Sequence, residues 1–348
     1  MGKKRGVSGL SGFAREAFGS QSQFLSTEAS QSSQSPDDSF ISTQRNQPSG
    51  PNTTSQEPTL PPLKRRKVGL LGPGQERYDA TELVPFYTDE DEVPDELRKY
   101  FSQRLRLFSL YDSGALLDHV GWFSVTPEAI AANIAERCRC DVILDAFCGV
   151  GGNAIQFAMR CERVIALDTS LTRLRLARHN AVLYGVADRI EFILADYVEF
   201  AKSYTSRNHS MQDAPNYKRK IDVVFLSPPW GGPGYIDGGA ASAINQLIPP
   251  TPTPREWDTG KASTLDHPSY SLSDIQPIPG KDIFALTRQI TKNVAYYLPR
   301  NVQLEEVSAL VSDEKGEMVE VEEQWMGSKL KAVCCYFGGL VSGQEEMW

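Results

Sequence analysis

The sequence lacks the cysteine spacings that mark metal-binding or disulfide-stabilised small domains. Its six cysteines all follow residue 137, and no two of them form a C-x-x-C pair. Reduced thiols are therefore expected, and no metal site is predicted.

Long apolar runs are also absent. No stretch approaches the length of a membrane span, and no apolar segment follows the basic start Met1-Gly-Lys-Lys-Arg5. We therefore expect a soluble protein with no membrane partner, outside the usual secretory route.

An excess of positive charge is missing as well. The 348 residues carry a net charge of −8, whereas surfaces that bind nucleic acid broadly usually need clustered Lys and Arg. Any RNA partner must then be held locally. The length suits one sizeable domain, and the uneven composition indicates a tail in addition.

The tail is predicted to comprise residues 1–75, which are rich in Ser, Gln, Thr, Pro and Asn and hold too little apolar surface to offset the entropy of ordering. We interpret it as disordered. Four consecutive cations, Lys64 to Lys67, follow prolines in it. This run resembles a signal for a nuclear import receptor and predicts a nuclear location, the nucleolus included. The alternative is a generic solvated charge run.

Residues 76–125 are predicted to be a helical extension that covers the active site. Apolar and aromatic residues recur at helical spacing between residues 93 and 111, which predicts one amphipathic helix. A second helix is expected from residue 127 to about 137, because Thr126 is a good N-cap and Pro127 suits the first helical position.

Three predicted strands in succession each end in a carboxylate, supplied by Asp145, Asp168 and Asp196. The carboxyl ends of parallel strands share one edge of the sheet, and ligands bind in the crevice beyond that edge. The glycines between residues 149 and 152 would let the backbone approach a ligand closely. The alternative, that the aspartates are N-caps of the following helices, fits single residues better than three in series.

A fourth apolar run, residues 223–226, stops at Ser227-Pro-Pro-Trp230, because two prolines cannot continue a strand ladder. Trp230 stands on this rigid turn with nothing beside it in sequence to cover its ring. It would then be a stacking platform for a planar ligand. The alternative is a tryptophan packed in the core.

The remaining chain predicts insertions at about 202–220 and 236–268, a helix at 281–292, and strands at 294–298, 318–326 and 329–337. The predicted fold class is α/β: a doubly wound, mostly parallel seven-stranded sheet with a closing antiparallel hairpin. The domain is expected to span residues 126–340.

The acidic end of the first strand indicates the cofactor class. Asp145 would repel a pyrophosphate and attract a cationic group, so a sulfonium with an α-amino group fits better than a dinucleotide. The order of acidic strand end, Gly-rich turn, two further acids and a Ser-Pro-Pro-Trp turn resembles the S-adenosylmethionine-dependent methyltransferases with a doubly wound sheet.

Four blocks, at residues 121–128, 145–152, 227–233 and 298–301, make the resemblance more specific. Together they resemble the trimethylguanosine synthases over about residues 95–340. That family methylates N2 of the 7-methylguanosine cap of small nuclear and nucleolar RNAs twice. The resemblance implies S-adenosylmethionine as cofactor, capped RNA as substrate and recruiting proteins of the ribonucleoprotein as partners.

The resemblance also implies the site residues. Ser227, Pro228 and Trp230 would carry the catalysis, with Trp230 under the base and Ser227 beside the reacting amine. The cofactor would be bound by Phe108, Thr126, Asp145, Phe147, Gly149, Asp168, Asp196 and Pro228. The cap would be bound by Ser227 and Trp230, with its phosphates held by Lys99, Tyr235 and Arg300.

The chain departs from the family where Phe101 follows Tyr100 in place of an expected Trp, and in the two enlarged insertions. Two alternative functions stay open at this point. One is methylation of another nucleobase amine, such as adenine N6, and the other is a cap-binding module without catalysis.

Overall fold

A computed structural model of the protein describes residues 69–210, 220–230, 269–311 and 316–348. Residues Val68–Trp348 form one compact unit. The predictions for the disordered tail up to residue 68, for Lys64 to Lys67, for Tyr235 and for the 236–268 insertion lie outside the described residues. Within them, no helix combines the length and the apolar character needed to cross a bilayer.

The sheet has seven strands, in the order β3-β2-β1-β4-β5-β7-β6. Strands β1 to β5 are parallel, and β7 runs antiparallel to both β5 and β6. This confirms the predicted fold class. In chain order the strands are Val142–Asp145, Arg163–Asp168, Ile190–Leu194, Val223–Leu226, Val294–Pro299, Glu320–Met326 and Lys329–Phe337.

Nine α-helices accompany the sheet in the described residues. In chain order, α1 to α9 are Asp95–Phe101, Arg104–Leu107, His119–Ser124, Glu128–Arg137, Gly152–Ala158, Leu171–Leu183, Tyr197–Ser210, Gly280–Arg288 and Leu304–Ala309. Every residue of β4 and β5 is buried, as expected for central parallel strands covered on both faces. The early helices pack into the same core, where Tyr111 and Trp122 lie with ring centroids 5.3 Å apart.

The prediction of one helix between residues 93 and 111 was wrong, because the chain breaks into α1 and α2. The carbonyl oxygen of Lys99 accepts hydrogen bonds from the side chains of Ser102 and Gln103, at 3.0 and 2.9 Å. Such side-chain bonds compete with the backbone donor that would continue the helix. Phe108 follows the second helix in an extended conformation.

The predicted loop at 202–220 was also wrong in its first half, since α7 continues to Ser210. Tertiary packing overrides the polar composition here. Tyr204 is buried, stacks on Phe200 with ring centroids 6.1 Å apart, and accepts a hydrogen bond from the backbone of Ile221 at 3.2 Å. Helix α8 ends at Arg288, short of the predicted end at Lys292.

Candidate active site

The register of the parallel strands brings the predicted site residues to one edge of the sheet. Asp145 at the end of β1 pairs with Phe225 of β4, and Leu226 pairs with Tyr296 of β5. The turn that follows β4 therefore lies between the ends of β1 and β5. Acidic groups occupy the β1 and β2 side of this edge, and aromatic and basic groups occupy the β4 and β5 side.

Asp145 is fully buried, and neither of its carboxylate oxygens has a hydrogen-bond partner among the described residues. Burial raises the pKa of this carboxyl to about 7, and the charge of Asp168 adds to the effect. The backbone amides of Phe147 and Ala154 lower the pKa in part, although neither forms a hydrogen bond with it. A buried carboxylate without partners is costly, so this position favours a cationic ligand.

Asp168 is held by the backbone on both oxygens. It accepts from the amide of Gly149 at 3.1 Å and from that of Ser170 at 2.7 Å. Burial raises its pKa, while these amides and Arg173 counteract the shift. Asp168 thus fixes the Gly-rich turn after β1, and each oxygen keeps a lone pair that can accept from a hydroxyl.

The glycines of that turn divide into two roles. Gly149 has φ 53°, and no described atom lies within 4 Å of the position that a Cβ would take. Gly151 has φ 91°, and a Cβ there would lie 3.1 Å from the Cβ of Ala177. At Gly152 a Cβ would lie 2.7 Å from Val125. Close packing inside the protein therefore requires Gly151 and Gly152, and Gly149 alone keeps the predicted role toward a ligand.

Asp196 accepts a hydrogen bond from the backbone amide of Glu199 at 3.1 Å, so it caps α7. The N-cap alternative weighed for the three aspartates thus applies at this position. Phe147 is half-buried, and its ring lies 5.5 Å from that of Tyr197, the first residue of α7. Both predicted cofactor residues border the end of β3.

Thr126 is not the N-cap of α4, contrary to the prediction. Pro127 occupies the cap position, and the Thr126 hydroxyl instead accepts a hydrogen bond from the Asn153 side chain at 3.0 Å. Thr126 therefore ties the start of α4 to α5, the helix that follows the Gly-rich turn. Its backbone oxygen lies 3.7 Å from the position that a Cβ would take on Gly152.

Phe108 is buried beside Gly152, and its Cζ lies 3.9 Å from the position that a Cβ would take on that glycine. The segment after Phe108 is anchored by a clamp that the sequence did not reveal. Glu128 accepts from the backbone and hydroxyl of Ser109, at 2.6 and 2.8 Å, and from the hydroxyl of Tyr184 at 2.6 Å. The Tyr184 hydroxyl in turn accepts from the Leu110 amide at 3.2 Å.

The turn after β4 carries the predicted catalytic residues. Ser227 is half-buried and Pro228 is buried. Trp230 is half-buried, and its ring lies 5.3 Å from the ring of Tyr297 at an interplanar angle of 32°. The expectation of an uncovered ring was therefore wrong, since Tyr297 of β5 supports it. Tyr297 is a site residue that the sequence could have indicated only once the β4–β5 pairing was known.

Lys99 and Arg300 lie far apart in sequence, but both act electrostatically on the same residue, Lys331. The Lys99 ammonium is 5.1 Å from the Tyr100 ring centroid, and Arg300 donates to the carbonyl oxygen of Leu330 at 3.5 Å. Both charges act on the ammonium of Lys331, whose pKa is lowered first by burial and then by neighbouring cations. Among the described residues, no group of His, Cys, Asp or Glu is arranged to hold a metal ion.

Comparison with known proteins supports one family. Residues 140–251 and 258–340 match the RNA cap guanine-N2 methyltransferases. The trimethylguanosine synthase of Schizosaccharomyces pombe is 33% identical over 267 residues, which cover 75% of this chain and 94% of that relative. The trimethylguanosine synthase of Saccharomyces cerevisiae is 31% identical over 252 residues, covering 70% and 68%.

Solved structures are more distant. An S-adenosylmethionine-dependent methyltransferase from Agrobacterium tumefaciens aligns with a TM-score of 0.38 and 16% identity, covering 61% of this chain and 62% of that one. The assignment rests on the sequence relationships. By these the chain belongs to the RNA cap guanine-N2 methyltransferase family and is an enzyme.

Proposed function

We propose that the enzyme transfers methyl groups from S-adenosylmethionine to the exocyclic N2 of the 7-methylguanosine cap. Two transfers would give the 2,2,7-trimethylguanosine cap of small nuclear and nucleolar RNAs. The observation that carries this proposal is the position of the Ser227–Trp230 turn beside the buried Asp145 carboxylate, on neighbouring strands. Together with the family membership, this neighbourhood supports a binding site for a flat base next to a binding site for a cationic group.

The residues on the β1 and β2 side fit S-adenosylmethionine. The unpartnered carboxylate of Asp145 suits an α-amino group, and Asp168 can accept from the hydroxyls of a ribose. Gly149 leaves room for close approach of the ligand. When bound, the cofactor supplies a methyl group on a positively charged sulfur. Phe108, Thr126, Phe147, Asp196 and Pro228 are proposed to line the remainder of this site.

The residues on the β4 and β5 side would hold and align the base. Trp230, supported from one face by Tyr297, would stack on 7-methylguanine through its other face. The positive charge of that base adds a cation–π attraction of about 0.5–2 kcal/mol that unmethylated guanine lacks. Prior methylation of N7 would therefore favour binding.

Ser227 would orient the reacting amine. Its hydroxyl oxygen and nearby carbonyl oxygens can accept the N–H groups of N2, which directs the nitrogen lone pair toward the methyl group. Transfer would form one N–C bond as the S–C bond to the donated methyl group breaks, which would leave a neutral thioether, and N2 would release one proton to water. The monomethylated amine keeps one N–H group, so a second transfer can use the same contacts. No strong general base is required, because alignment supplies most of the catalysis.

The cap phosphates are proposed to be bound by Lys99, Tyr235 and Arg300; in support, the charges of Lys99 and Arg300 both act on Lys331. We further propose that an import receptor binds Lys64 to Lys67, that the enzyme works in the nucleus, the nucleolus included, and that ribonucleoprotein proteins recruit it. Alanine replacement of all four cations is expected to abolish nuclear accumulation of a fluorescently tagged chain. Unchanged accumulation would remove the import proposal.

Methyl transfer from labelled S-adenosylmethionine to a 7-methylguanosine cap dinucleotide tests the proposed reaction. Resolving the products should show a monomethylated species first and a dimethylated species later. A product that stops at one methyl group would contradict the double transfer. Label on another atom of the base would contradict the assignment to N2.

A further inference from the structure

Four segments of the chain carry five positive charges that interact with one another. Lys99 lies on α1, Arg106 on α2, Arg300 after β5, and Lys329 and Lys331 on β7. The charges of Lys329, Lys99, Arg300 and Arg106 all act on the ammonium of Lys331 and lower its pKa, in addition to burial. We refer to these five residues as the basic cluster.

The ladder between β5 and β7 fixes the centre of the basic cluster. Pro299 pairs with Ala332 in antiparallel register, so Arg300 leaves β5 beside Lys331. The Arg300 guanidinium donates to the carbonyl oxygen of Leu330, which stands between the two lysines in sequence. The cluster therefore lies at the carboxyl edge of the parallel strands, next to the turn that carries Trp230.

Carboxylates of the described residues do not neutralise the basic cluster by ion pairing. Within the described chain, none of its members lies within ion-pair distance of a carboxylate. Four of the side chains are exposed, and Lys331 is half-buried. A protein with a net charge of −8 has thus gathered unpaired cations at one edge. Mutual repulsion makes such a cluster costly unless an anion binds there.

The basic cluster contains more cations than the two that are proposed to bind the cap phosphates. The proposed cap site uses Lys99 and Arg300, and three further cations, Arg106, Lys329 and Lys331, lie beside them. We propose that the basic cluster binds the phosphodiesters of the first nucleotides of the single-stranded RNA that follows the cap. This inference rests on the proposed function, since a bound cap is what would deliver the chain to this edge.

The charges of the basic cluster and its position beside the proposed cap site favour RNA as its ligand. The cluster is continuous with the proposed ligands of the cap phosphates, so the polyanion that leaves the cap meets it directly. Acidic protein segments carry the same sign of charge, and the experiment separates them from RNA. Binding through phosphates implies affinity that falls steeply with salt and depends little on base sequence.

The test compares a 7-methylguanosine cap dinucleotide with a short capped single-stranded RNA. Binding is measured by fluorescence anisotropy and methyl transfer by label incorporation, each over a series of salt concentrations. The variants are Arg106→Gln, Lys329→Gln and the double substitution in the full chain. Arg139→Gln is the matched control, because Arg139 is an exposed cation just before β1, at the opposite edge of the sheet.

For capped RNA, each cluster substitution is expected to weaken binding and to reduce the slope of log affinity against log salt by about 0.7. The loss of affinity and of kcat/KM should be several-fold larger for capped RNA than for the dinucleotide, and Arg139→Gln should show neither effect. Equal losses on both substrates, or no loss on either, would overturn the proposal. So would loss of polyglutamate binding in the cluster variants with RNA binding intact.

Failure of the proposed function gives a different result. If the wild-type protein methylates neither substrate, the reaction is wrong. Capped RNA that still binds, with a salt slope that the cluster variants reduce, would nevertheless support the RNA surface.

Discussion

At the scale of single residues, Asp145 is the most informative side chain. Its carboxyl group is fully buried and has no hydrogen-bond partner among the residues that the structure describes, so it opposes folding in its ionised form, yet it ends the first strand of the sheet. Burial raises the pKa of this carboxyl to about 7, which reflects that conflict. A bound cationic group would remove the conflict by pairing with the ionised form.

Asp145→Asn is expected to stabilise the ligand-free protein and to weaken cofactor binding. Because the pKa is raised from 3.8 to about 7 on folding, the folded state binds the proton more tightly than the unfolded chain. Stability of the wild type therefore falls as pH rises between these values, and the variant lacks this loss. Denaturant unfolding at about pH 8 should show a gain on the order of 1–4 kcal/mol, which diminishes toward about pH 4.

The control for this substitution is Asp141→Asn, on an exposed side chain that precedes the same strand. It should change neither stability nor affinity. Calorimetric titration with S-adenosylmethionine measures the second effect of Asp145→Asn. A variant that is less stable than the wild type at the higher pH, or that binds the cofactor equally well, would contradict the role assigned to Asp145.

At the scale of elements, the clamp of Glu128, Tyr184 and Ser109 determines where Phe108 lies. These residues belong to α4, to the end of α6 and to the segment after α2, so three elements meet at one carboxylate. The Phe108 and Tyr184 rings are 6.0 Å apart. The clamp thus fixes the segment that carries Phe108 against α4 and the end of α6.

Tyr184→Phe is expected to cost about 1 kcal/mol of stability, because the hydroxyl loses its bonds to Glu128 and to the Leu110 amide. Looser placement of Phe108 should raise the dissociation constant of S-adenosylmethionine by up to about tenfold. Tyr336→Phe is the matched control, since it also removes one bond to a glutamate, Glu322, but on β7. Tyr336→Phe should lower stability and leave cofactor affinity unchanged. Equal cofactor affinity in the two variants would argue against a positioning role for the clamp.

The strands and helices also show how much of the fold could be predicted from the sequence. Strands β4 and β5 were predicted with almost their true bounds, because each apolar run stops at or just before a proline, and β1 to β3 end within two residues of the predicted aspartates. The break after Phe101 was missed because it depends on two side chains that bond to the Lys99 carbonyl. The extension of α7 was missed because buried Tyr204 and Thr205 stabilise a polar segment through tertiary contacts.

The site was predictable to a similar degree. Residues at strand ends were found because parallel strands share an edge, and this holds for Asp145, Asp168 and Ser227. The support of Trp230 by Tyr297 and the convergence of Lys329 and Lys331 on Arg300 follow from the pairing of β5 with β4 and β7. Such contacts between distant parts of the chain need the strand order, which apolar periodicity does not give.

At the scale of the whole molecule, the order of the strands separates two halves of the crevice. The end of β1, flanked by β2, presents carboxylates, and the ends of β4, β5 and the start of β7 present aromatic rings and cations. A cationic cofactor and a polyanionic substrate can thus bind side by side on a protein of net charge −8. Methyl transfer would occur where the halves meet, at the turn after β4.

The most direct test of this account is methyl transfer to a cap dinucleotide by the wild type and by Trp230→Ala, with calorimetric binding of S-adenosylmethionine measured on both. The wild type should methylate N2 of the 7-methylated cap and discriminate against the unmethylated cap. Trp230→Ala should lose methyl transfer and keep cofactor affinity, because the ring is proposed to stack on the base and not to bind the cofactor. Equal loss of transfer and of cofactor affinity would show that Trp230 is a residue of the core and would contradict the proposed site.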